Sequence, residues 1–373
     1  MTNALTTNVL AAALDLTRDD SMFEVKWNLK DIKQDKPVKV FTIFSCGGGS
    51  SMGYKRAGFE VIGNCEIDPR MNKVYVGNHH PKYNFNCDVR DLLSQDIPQE
   101  LYELDILDGS PPCSTFSMAG QRERNWGKEK KFAEGQKEQV LDDLFFEFLN
   151  VVEKLRPKVV VAENVLGIIM GNAKGYCNLI VKRFKELGYD VQIFKLNAAF
   201  MDVPQRRERV FFIANRMGYP KLELNFNHKI IRFGEIRSEK GSREVNKDSK
   251  TGRLAAICKR GDDRLADGSV RIGGKFSSFN TLVLWDEDVP CTLASGSGLI
   301  RGADMQWASK EDIVNIQTFP QDYDFMTDSV DNVKYICGMS VPPNMMANIA
   351  TEIWNQWLGK GYTKEREVEE NGT

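Results

Sequence analysis

The sequence contains little of what imidazole or zinc chemistry requires. Of its 373 residues only three are histidine, at positions 79, 80 and 228. The eight cysteines are scattered along the chain, and no two of them form a Cys-x-x-Cys pair. Histidine-based catalysis, a metal site and a disulfide framework are therefore not indicated, and we expect reduced thiols.

Long apolar runs are also missing. No stretch approaches the roughly 18 apolar residues of a membrane-spanning helix, so we expect none. The first residues, Met-Thr-Asn-Ala-Leu-Thr-Thr, lack the basic start and apolar centre of a signal peptide. With 42% apolar and 27% charged residues, the composition is that of an ordinary globular protein, and we expect a cytoplasmic location.

Charge is distributed unevenly. The formal net charge is −2, but residues 216–275 contain 15 Lys or Arg against 8 Asp or Glu, an excess of seven positive charges. The rest of the chain therefore carries −9. A basic segment joined to an acidic remainder predicts phosphate binding by one part of the chain, with a solvated polar insertion as the alternative.

Apolar periodicity predicts an α/β domain. Short apolar runs alternate with helical patterns from position 38 to 214, and residues 140–152 show a strong helical spacing. Continuous apolar strands between helices predict a Rossmann-like parallel sheet with helices on both faces, whereas residues 216–290 show no period and predict a smaller irregular domain. The predicted strands are 38–44, 61–65, 104–107, 159–162, 190–196 and 210–214, and further helices are predicted at 310–319 and 343–357.

Three strand ends suit a nucleoside cofactor. Phe44-Ser-Cys-Gly-Gly-Gly-Ser-Ser-Met-Gly53 follows the first strand and would let a ligand approach the backbone at a helix N-terminus. Glu66, about 20 positions later, stands where a ribose diol would be held. Asp88 could accept a hydrogen bond from an exocyclic amine. These marks fit any nucleoside cofactor, a nicotinamide dinucleotide included.

A nucleophile is predicted at the end of Asp108-Gly-Ser-Pro-Pro-Cys113. The two prolines hold the backbone, so the Cys113 thiol would point in a fixed direction. An inert buried cysteine is the alternative. Glu163 follows a later strand, and Arg207 and Arg209 precede another. A thiol, a carboxylate and two guanidinium groups at strand ends predict a catalytic constellation.

In their order along the chain these motifs resemble those of the DNA cytosine-5 methyltransferase family, from about position 38 to 357. The resemblance implies methyl transfer from S-adenosylmethionine to C5 of a cytosine flipped out of duplex DNA, with Cys113 attacking C6. It implies catalytic roles for Glu163, Arg207 and Arg209. The matching motifs are 44–53, 66–67, 88–89, 112–113, 144–145, 163–165, 205–209, 290–293, 317–323 and 338–343.

The resemblance also assigns residues to the cofactor and to DNA. Cys46 and Met339 depart from the family pattern, which usually has glycine and asparagine there, so we expect Ser340 and Val341 to bind the cofactor locally. The implied DNA contacts are Ser114, Gln205, Arg207 and Thr292. The implied cofactor-binding residues are Phe44, Ser45, Gly47, Gly48, Gly49, Glu66, Ile67, Asp88, Val89, Pro112, Leu144, Ser340 and Val341.

We expect five segments and a monomer that binds double-stranded DNA. Residues 114–138 would form a loop that closes over the DNA. The sequence is also compatible with a cognate restriction endonuclease as a partner. A tRNA methyltransferase of the same family is an alternative, although its Cys-Phe-Thr tripeptide is absent. A catalytically inactive DNA-binding relative is another, against which Cys113, Glu163 and Arg207 argue. The segments are an N-terminal extension (1–36), a catalytic and cofactor-binding domain (37–215), a target-recognition domain (216–295), a segment returning to the catalytic domain (296–360) and a polar tail (361–373).

Overall fold

The computed structural model describes residues 21–112, 143–274 and 281–360. Their contacts divide the chain into two compact units. The seven-stranded unit holds the described residues of 31–196, 208–224 and 346–360. The four-stranded unit holds those of 21–30, 197–207 and 225–345. The five functional segments expected from the sequence stay a prediction, and residues 296–345 cluster with the four-stranded unit.

The larger sheet confirms the predicted α/β class. Its strand order is β3-β2-β1-β4-β5-β7-β6, and β1 pairs in parallel with both β2 and β4, as β4 does with β5. The prediction of a parallel sheet was wrong for one strand, because β7 runs antiparallel to β5. The connection 198–207 joins β6 to β7, and it is too short for the crossover that a parallel neighbour would need. The strands are β1 (Lys36–Ile43), β2 (Phe59–Cys65), β3 (Tyr83–Phe85), β4 (Ile106–Gly109), β5 (Val159–Val165), β6 (Asp190–Asn197) and β7 (Glu208–Asn215).

Helices connect these strands. The helix predicted at 140–152 is confirmed over its described part, and residues 140–142 lie outside the described ranges. Short 3₁₀ turns occupy Gln99–Glu103, Leu166–Ile169 and Gly171–Ala173. The α-helices are α1 (Gly49–Arg56), α2 (Pro69–His79), α3 (Val89–Leu92), α4 (Leu144–Leu155) and α5 (Lys174–Glu186).

The core of the seven-stranded unit forms where α4 and α5 pack against the sheet. Phe148 and Leu149 of α4 and Ile180 of α5 are fully buried with Phe212 of β7. A Cβ atom on Gly109 would lie 2.5 Å from Cε2 of Phe148, so only glycine lets this ring cover the end of β4. The packing therefore holds in place the strand that leads to Cys113.

The four-stranded unit contains short strands and helices that were not predicted within 216–290, although most described residues of this segment lie outside them. Its sheet has the order β8-β11-β10-β9, and Val245, Leu265, Val283 and Ile300 form its core. Strands of two or three residues are too short to show a period in the sequence. The elements are α6 (Phe233–Ile236), β8 (Arg243–Glu244), α7 (Lys250–Ile257), α8 (Leu265–Arg271), β9 (Leu282–Leu284), β10 (Leu299–Arg301), β11 (Gln306–Trp307), α9 (Lys310–Gln317) and α10 (Val330–Met339).

The C-terminal helix α11 (Pro343–Ile353) continues as a π-helical turn, Trp354–Leu358. Its residues from 346 onward belong to the seven-stranded unit, where the indole of Trp357 donates to the carbonyl of Pro220 at 2.8 Å. The helices predicted at 310–319 and 343–357 are thus confirmed, whereas α10 was not predicted. Within the described ranges, no helix combines the length and apolarity needed to cross a membrane.

Replacing Leu149 by alanine should lower the free energy of unfolding by about 2–5 kcal/mol, because the side chain is fully buried on α4 and its loss leaves a cavity. Leu179→Ala is the matched control, since this leucine is 55% exposed on α5. We expect it to change stability by less than about 0.5 kcal/mol. Chemical denaturation measures both, and equal losses would contradict the core described above.

Candidate functional site

The glycine-rich turn between β1 and α1 has a left-handed backbone at several positions. The φ angles are 58° at Phe44, 47° at Cys46 and 74° at Gly48. At Gly48 only glycine fits, because a Cβ atom there would lie 2.2 Å from Nε2 of His79. Gly48 is also the N-cap of α1 and supplies no side-chain cap. The turn therefore presents backbone N–H groups at a helix N-terminus, which is suited to an anionic group.

Glu66 is tied directly to this turn. The N–H of Cys46 donates to its Oε2 at 2.7 Å, and the N–H of Asp68 donates to its Oε1 at 2.9 Å. Beside it, Oγ of Ser45 accepts from Nδ2 of Asn64 at 3.1 Å. Burial raises the pKa of Glu66 to about 7. Cys46 contributes a backbone donor here, so the absence of the family's usual glycine does not remove the contact.

Asp88 stands at the start of α3 and is held by Arg90. Its Oδ1 accepts from the Arg90 N–H at 2.9 Å, and its Oδ2 from the guanidinium at 3.0 Å. The same guanidinium reaches Asp143, next to Leu144, at 2.7 Å. Asn86, two residues before Asp88, donates from its Nδ2 to the carbonyl of Glu66 at 2.7 Å.

The remaining predicted cofactor residues of this unit differ in exposure. Val89 and Leu144 are nearly fully buried, at 4% and 3% exposure, so both pack in the core. Ile67 and Pro112 are half-buried. The structure thus joins the glycine turn to Glu66 and Asp88 within one unit.

Glu163 and Arg209 form an ion pair. Glu163 lies near the end of β5 and Arg209 on the antiparallel neighbour β7. Nε of Arg209 is 3.0 Å from Oε1 of Glu163, and the side chains are only 14% and 11% exposed, respectively. Burial lowers the pKa of Arg209, while the charge of Glu163 acts in the opposite direction. A buried carboxylate with a fixed guanidinium can bind the polar edge of a base.

The segment before Cys113 is tied to the same strand. Nδ2 of Asn164 donates to the carbonyl of Pro111 at 3.2 Å. Cys113 and Ser114 themselves, with the expected loop 114–138, lie outside the described residues. The Glu-Asn-Val sequence therefore supplies both the carboxylate and a brace for the two prolines.

Arg207 and Gln205 bind their own unit. The guanidinium of Arg207 donates to the carbonyls of Leu293 at 3.1 Å, Gly338 at 3.3 Å and Ser340 at 3.0 Å. Gln205 is fully buried and its Oε1 accepts from the N–H of Leu293 at 2.9 Å. Both side chains organise the four-stranded unit, and their predicted roles at the base and DNA stay predictions.

The other predicted residues of the four-stranded unit are also held by local bonds. Oγ1 of Thr292 donates to the carbonyl of Arg206 at 2.8 Å, and Oγ of Ser340 to that of Ile336 at 2.8 Å. Val341 is buried, whereas Met339 is 47% exposed. The replacement of the family's asparagine by methionine thus places an apolar side chain at the surface of this unit.

Asp108 is a site residue to which sequence reasoning gave no role. It is the penultimate residue of β4 with 2% exposure, and the hydroxyl of Tyr54 on α1 donates to its Oδ1 at 3.1 Å. Burial raises its pKa to about 7, and the charge of Glu163 adds to the rise. The available signal was an acidic residue at the end of a buried apolar strand. No group of His, Cys, Asp and Glu among the described residues has the arrangement of a metal site.

Asp108→Asn should change how stability depends on pH. Folding raises the Asp108 pKa from 3.8 to about 7, so between these values the folded state binds more protons than the unfolded state. Stability is therefore lost as pH rises through this window. The asparagine still accepts from Tyr54 but cannot ionise, and the variant should be more stable by about 1–4 kcal/mol at pH 8. Unfolding curves from pH 4 to about 8 measure this, and parallel profiles would contradict it.

Comparisons with known proteins identify relatives of this chain. A family model described as C-5 cytosine-specific DNA methylase matches residues 38–266. The chain is similar to the type II methyltransferase M.NgoPII of Neisseria gonorrhoeae, at 28% identity over 343 residues that cover 85% of this chain and 95% of the relative. For M.FnuDI of Fusobacterium nucleatum the identity is 29% over 349 residues, covering 85% of this chain and 94% of the relative.

Solved structures share the fold. A putative DNA modification methyltransferase encoded within an E. coli prophage matches with a TM-score of 0.60 at 21% identity, covering 86% of this chain and 99% of that one. The S. pombe Dnmt2 methyltransferase also matches with a TM-score of 0.60, at 14% identity and the same coverage of both chains. These likenesses confirm the predicted methyltransferase fold.

Proposed function

The chain belongs to the C-5 cytosine-specific DNA methylase family and is a DNA cytosine-5 methyltransferase that uses S-adenosylmethionine; we propose that Cys113 is its nucleophile and that Glu163 and Arg209 bind the target base. The observation that carries this proposal is the Glu163–Arg209 pair near the end of β5. That strand lies beside β4, which leads to Cys113, and Asn164 ties the two strand ends together.

Cys113 activates a ring that is otherwise a poor nucleophile. Its thiolate attacks C6 of the cytosine, and the electron pair moves into the ring so that C5 becomes nucleophilic. Once C5 has taken up the methyl group, loss of the C5 proton to water re-forms the C5–C6 double bond and expels the thiolate. The prolines at 111 and 112 restrict the backbone that aims the thiol. A stacked base is out of reach, so the cytosine must be flipped out of the duplex.

Glu163 stabilises the charge that develops on the ring. Its carboxyl shares a proton with N3 while Cys113 adds to C6, which favours the adduct. Arg209 holds this carboxyl in place through the 3.0 Å ion pair and leaves other guanidinium donors for the O2 edge of the base. Arg207 contributes differently in this proposal, because its three carbonyl contacts position Ser340.

The seven-stranded unit has donors and acceptors that fit the cofactor. Backbone N–H groups of Cys46 and Asp68 orient the Glu66 carboxylate, whose oxygens can also accept from ribose hydroxyls. The uncapped start of α1 suits the carboxylate of the methionine moiety. Asp88 retains exposed surface for an adenine amine. When bound, S-adenosylmethionine supplies a methyl group activated by its positively charged sulfur.

Duplex DNA is the proposed substrate, and the basic segment of the four-stranded unit is proposed to contact its phosphates. Lys240, Lys247 and Lys259 are exposed there, whereas Arg237 is paired with Asp286 and Asp304. The exposed lysines are therefore better candidates for phosphate contacts. We further propose a cytoplasmic monomer, and a partner restriction endonuclease would fit the type II relatives.

Cys113→Ala should lower methyl transfer by about a thousandfold or more, since no adduct can form at C6. Affinities for DNA and S-adenosylmethionine should stay within a few-fold, because the binding contacts remain. In the presence of S-adenosylmethionine, wild-type protein should form a denaturation-resistant adduct with DNA carrying 5-fluorocytosine, because fluorine stands in place of the C5 proton whose loss would release Cys113. Denaturing gels score the adduct.

Cys177→Ala is the matched control for the nucleophile. Cys177 lies in the core on α5, and this variant should still methylate and form the adduct. Methyl transfer by Cys113→Ala near the wild-type rate would refute the mechanism. Transfer to tRNA but not to duplex DNA would instead favour the tRNA methyltransferase alternative.

Replacing Lys240, Lys247 and Lys259 together by glutamine should flatten the salt dependence of DNA affinity. The logarithmic slope should fall by about 0.9 for each DNA phosphate that a lysine no longer neutralises. Cofactor affinity should stay constant. The matched control replaces exposed Lys154, Lys182 and Lys185 of the seven-stranded unit. Equal slopes for the two triple variants would show that the basic segment is merely solvated.

A further inference from the structure

Cys65 and Cys87 form a thiol pair that the proposed mechanism does not use. Cys65 is the last residue of β2, and Cys87 follows β3 closely. Their Sγ atoms are 4.0 Å apart, and the thiol of Cys65 also lies 3.6 Å from the carbonyl oxygen of Cys87. Both cysteines are free. They directly precede Glu66 and Asp88, the two acidic residues proposed to bind the cofactor.

The two thiols are unequal in a way that suits stepwise oxidation. Cys65 is only 2% exposed, whereas Cys87 is half-buried. A hydrogen bond from Cys65 lowers the pKa of Cys87, while the same bond, together with burial, raises the pKa of Cys65. The accessible sulfur is therefore the one that ionises first, and the thiolate is the form that reacts with oxidants.

We propose that Cys65 and Cys87 are a peroxide-sensitive modification site whose reversible disulfide weakens binding of S-adenosylmethionine. The coupling rests on the proposed roles of Glu66 and Asp88 in the cofactor site. Formation of the disulfide does not depend on those roles. It is inferred from the distance between the two sulfur atoms and from their exposure.

The oxidation balances with one peroxide molecule. The Cys87 thiolate attacks a peroxide oxygen, forming a sulfenic acid and releasing hydroxide. The Cys65 sulfur then attacks the sulfenic sulfur, the S–S bond forms, and the departing hydroxide takes up the Cys65 proton as water. Two electrons pass from the sulfur pair to peroxide, and a dithiol reductant reverses the reaction.

We expect the bond to change the geometry of the strand ends. A disulfide requires sulfur atoms about 2 Å apart, and they now lie at 4.0 Å. Glu66 follows Cys65 without an intervening residue, and its backbone is bound to Phe85 at 3.0 Å and to Asn86 at 2.7 Å. Drawing the sulfur atoms together therefore shifts Glu66 relative to Cys46, or Asp88 relative to α3.

Calorimetric titration of the full chain with S-adenosylmethionine tests the proposal, after hydrogen peroxide and again after dithiothreitol. Peroxide should raise the dissociation constant at least about tenfold, the weight of one charge-assisted contact, and dithiothreitol should restore it. Peptide mass mapping should show a link between Cys65 and Cys87. Cys65→Ala and Cys87→Ser should keep their affinity after peroxide, whereas the buried control Cys177→Ala should respond like wild type.

Each other result has a distinct meaning. Both test variants keep Cys113, so a loss of affinity that persists in them would overturn the proposal. A mapped disulfide with unchanged affinity, or no disulfide at all, would also overturn it and leave the proposed function intact. Reduced wild-type protein that fails to bind S-adenosylmethionine would instead refute the proposed function. Cys87→Ser serves alone if Cys65→Ala fails to fold.

Discussion

The parallel pairing of β2, β1, β4 and β5 is the constraint on which the site depends. Parallel strands end at the same edge of a sheet, so residues far apart in sequence become neighbours there without any special recognition between them. The glycine turn follows β1, Glu66 follows β2, Asp108 lies within the end of β4, and Glu163 lies near the end of β5. Ligand sites of open α/β sheets lie at this edge for the same reason.

Buried polar side chains give this edge its detailed shape. Asn164 braces Pro111, Tyr54 binds Asp108, and Glu66 receives two backbone N–H groups. A buried polar group without a partner lowers the stability of the fold. Each of these hydrogen bonds therefore restricts the positions that its partners can take. The same burial raises the pKa of both Glu66 and Asp108 to about 7. Two carboxyl groups with pKa values near 7 thus result from burial at this edge of the sheet.

Buried polar side chains also organise the four-stranded unit. The fully buried Gln205 and the nearly buried Arg207 join segments that are distant in sequence. Arg207 alone connects residues 293, 338 and 340. Guanidinium groups suit this task because several donors lie in one plane. The motif that we expect to act at the target base is therefore also a structural centre of this unit.

The sequence by itself determined the α/β class, six strands of the larger sheet and the family, because continuous apolar runs and ordered motifs are local signals. It also singled out Glu163, Arg209 and Glu66, which stand at strand ends. Tertiary structure decided the strand directions, pairings and long-range contacts, which local sequence patterns do not encode. The antiparallel course of β7 depends on pairing with β5, and the strands of the smaller sheet exist only through their partners. Burial and contacts between distant residues determine the roles of Asp108 and Arg207 and bring Cys65 close to Cys87. No periodic pattern in the sequence indicates such contacts.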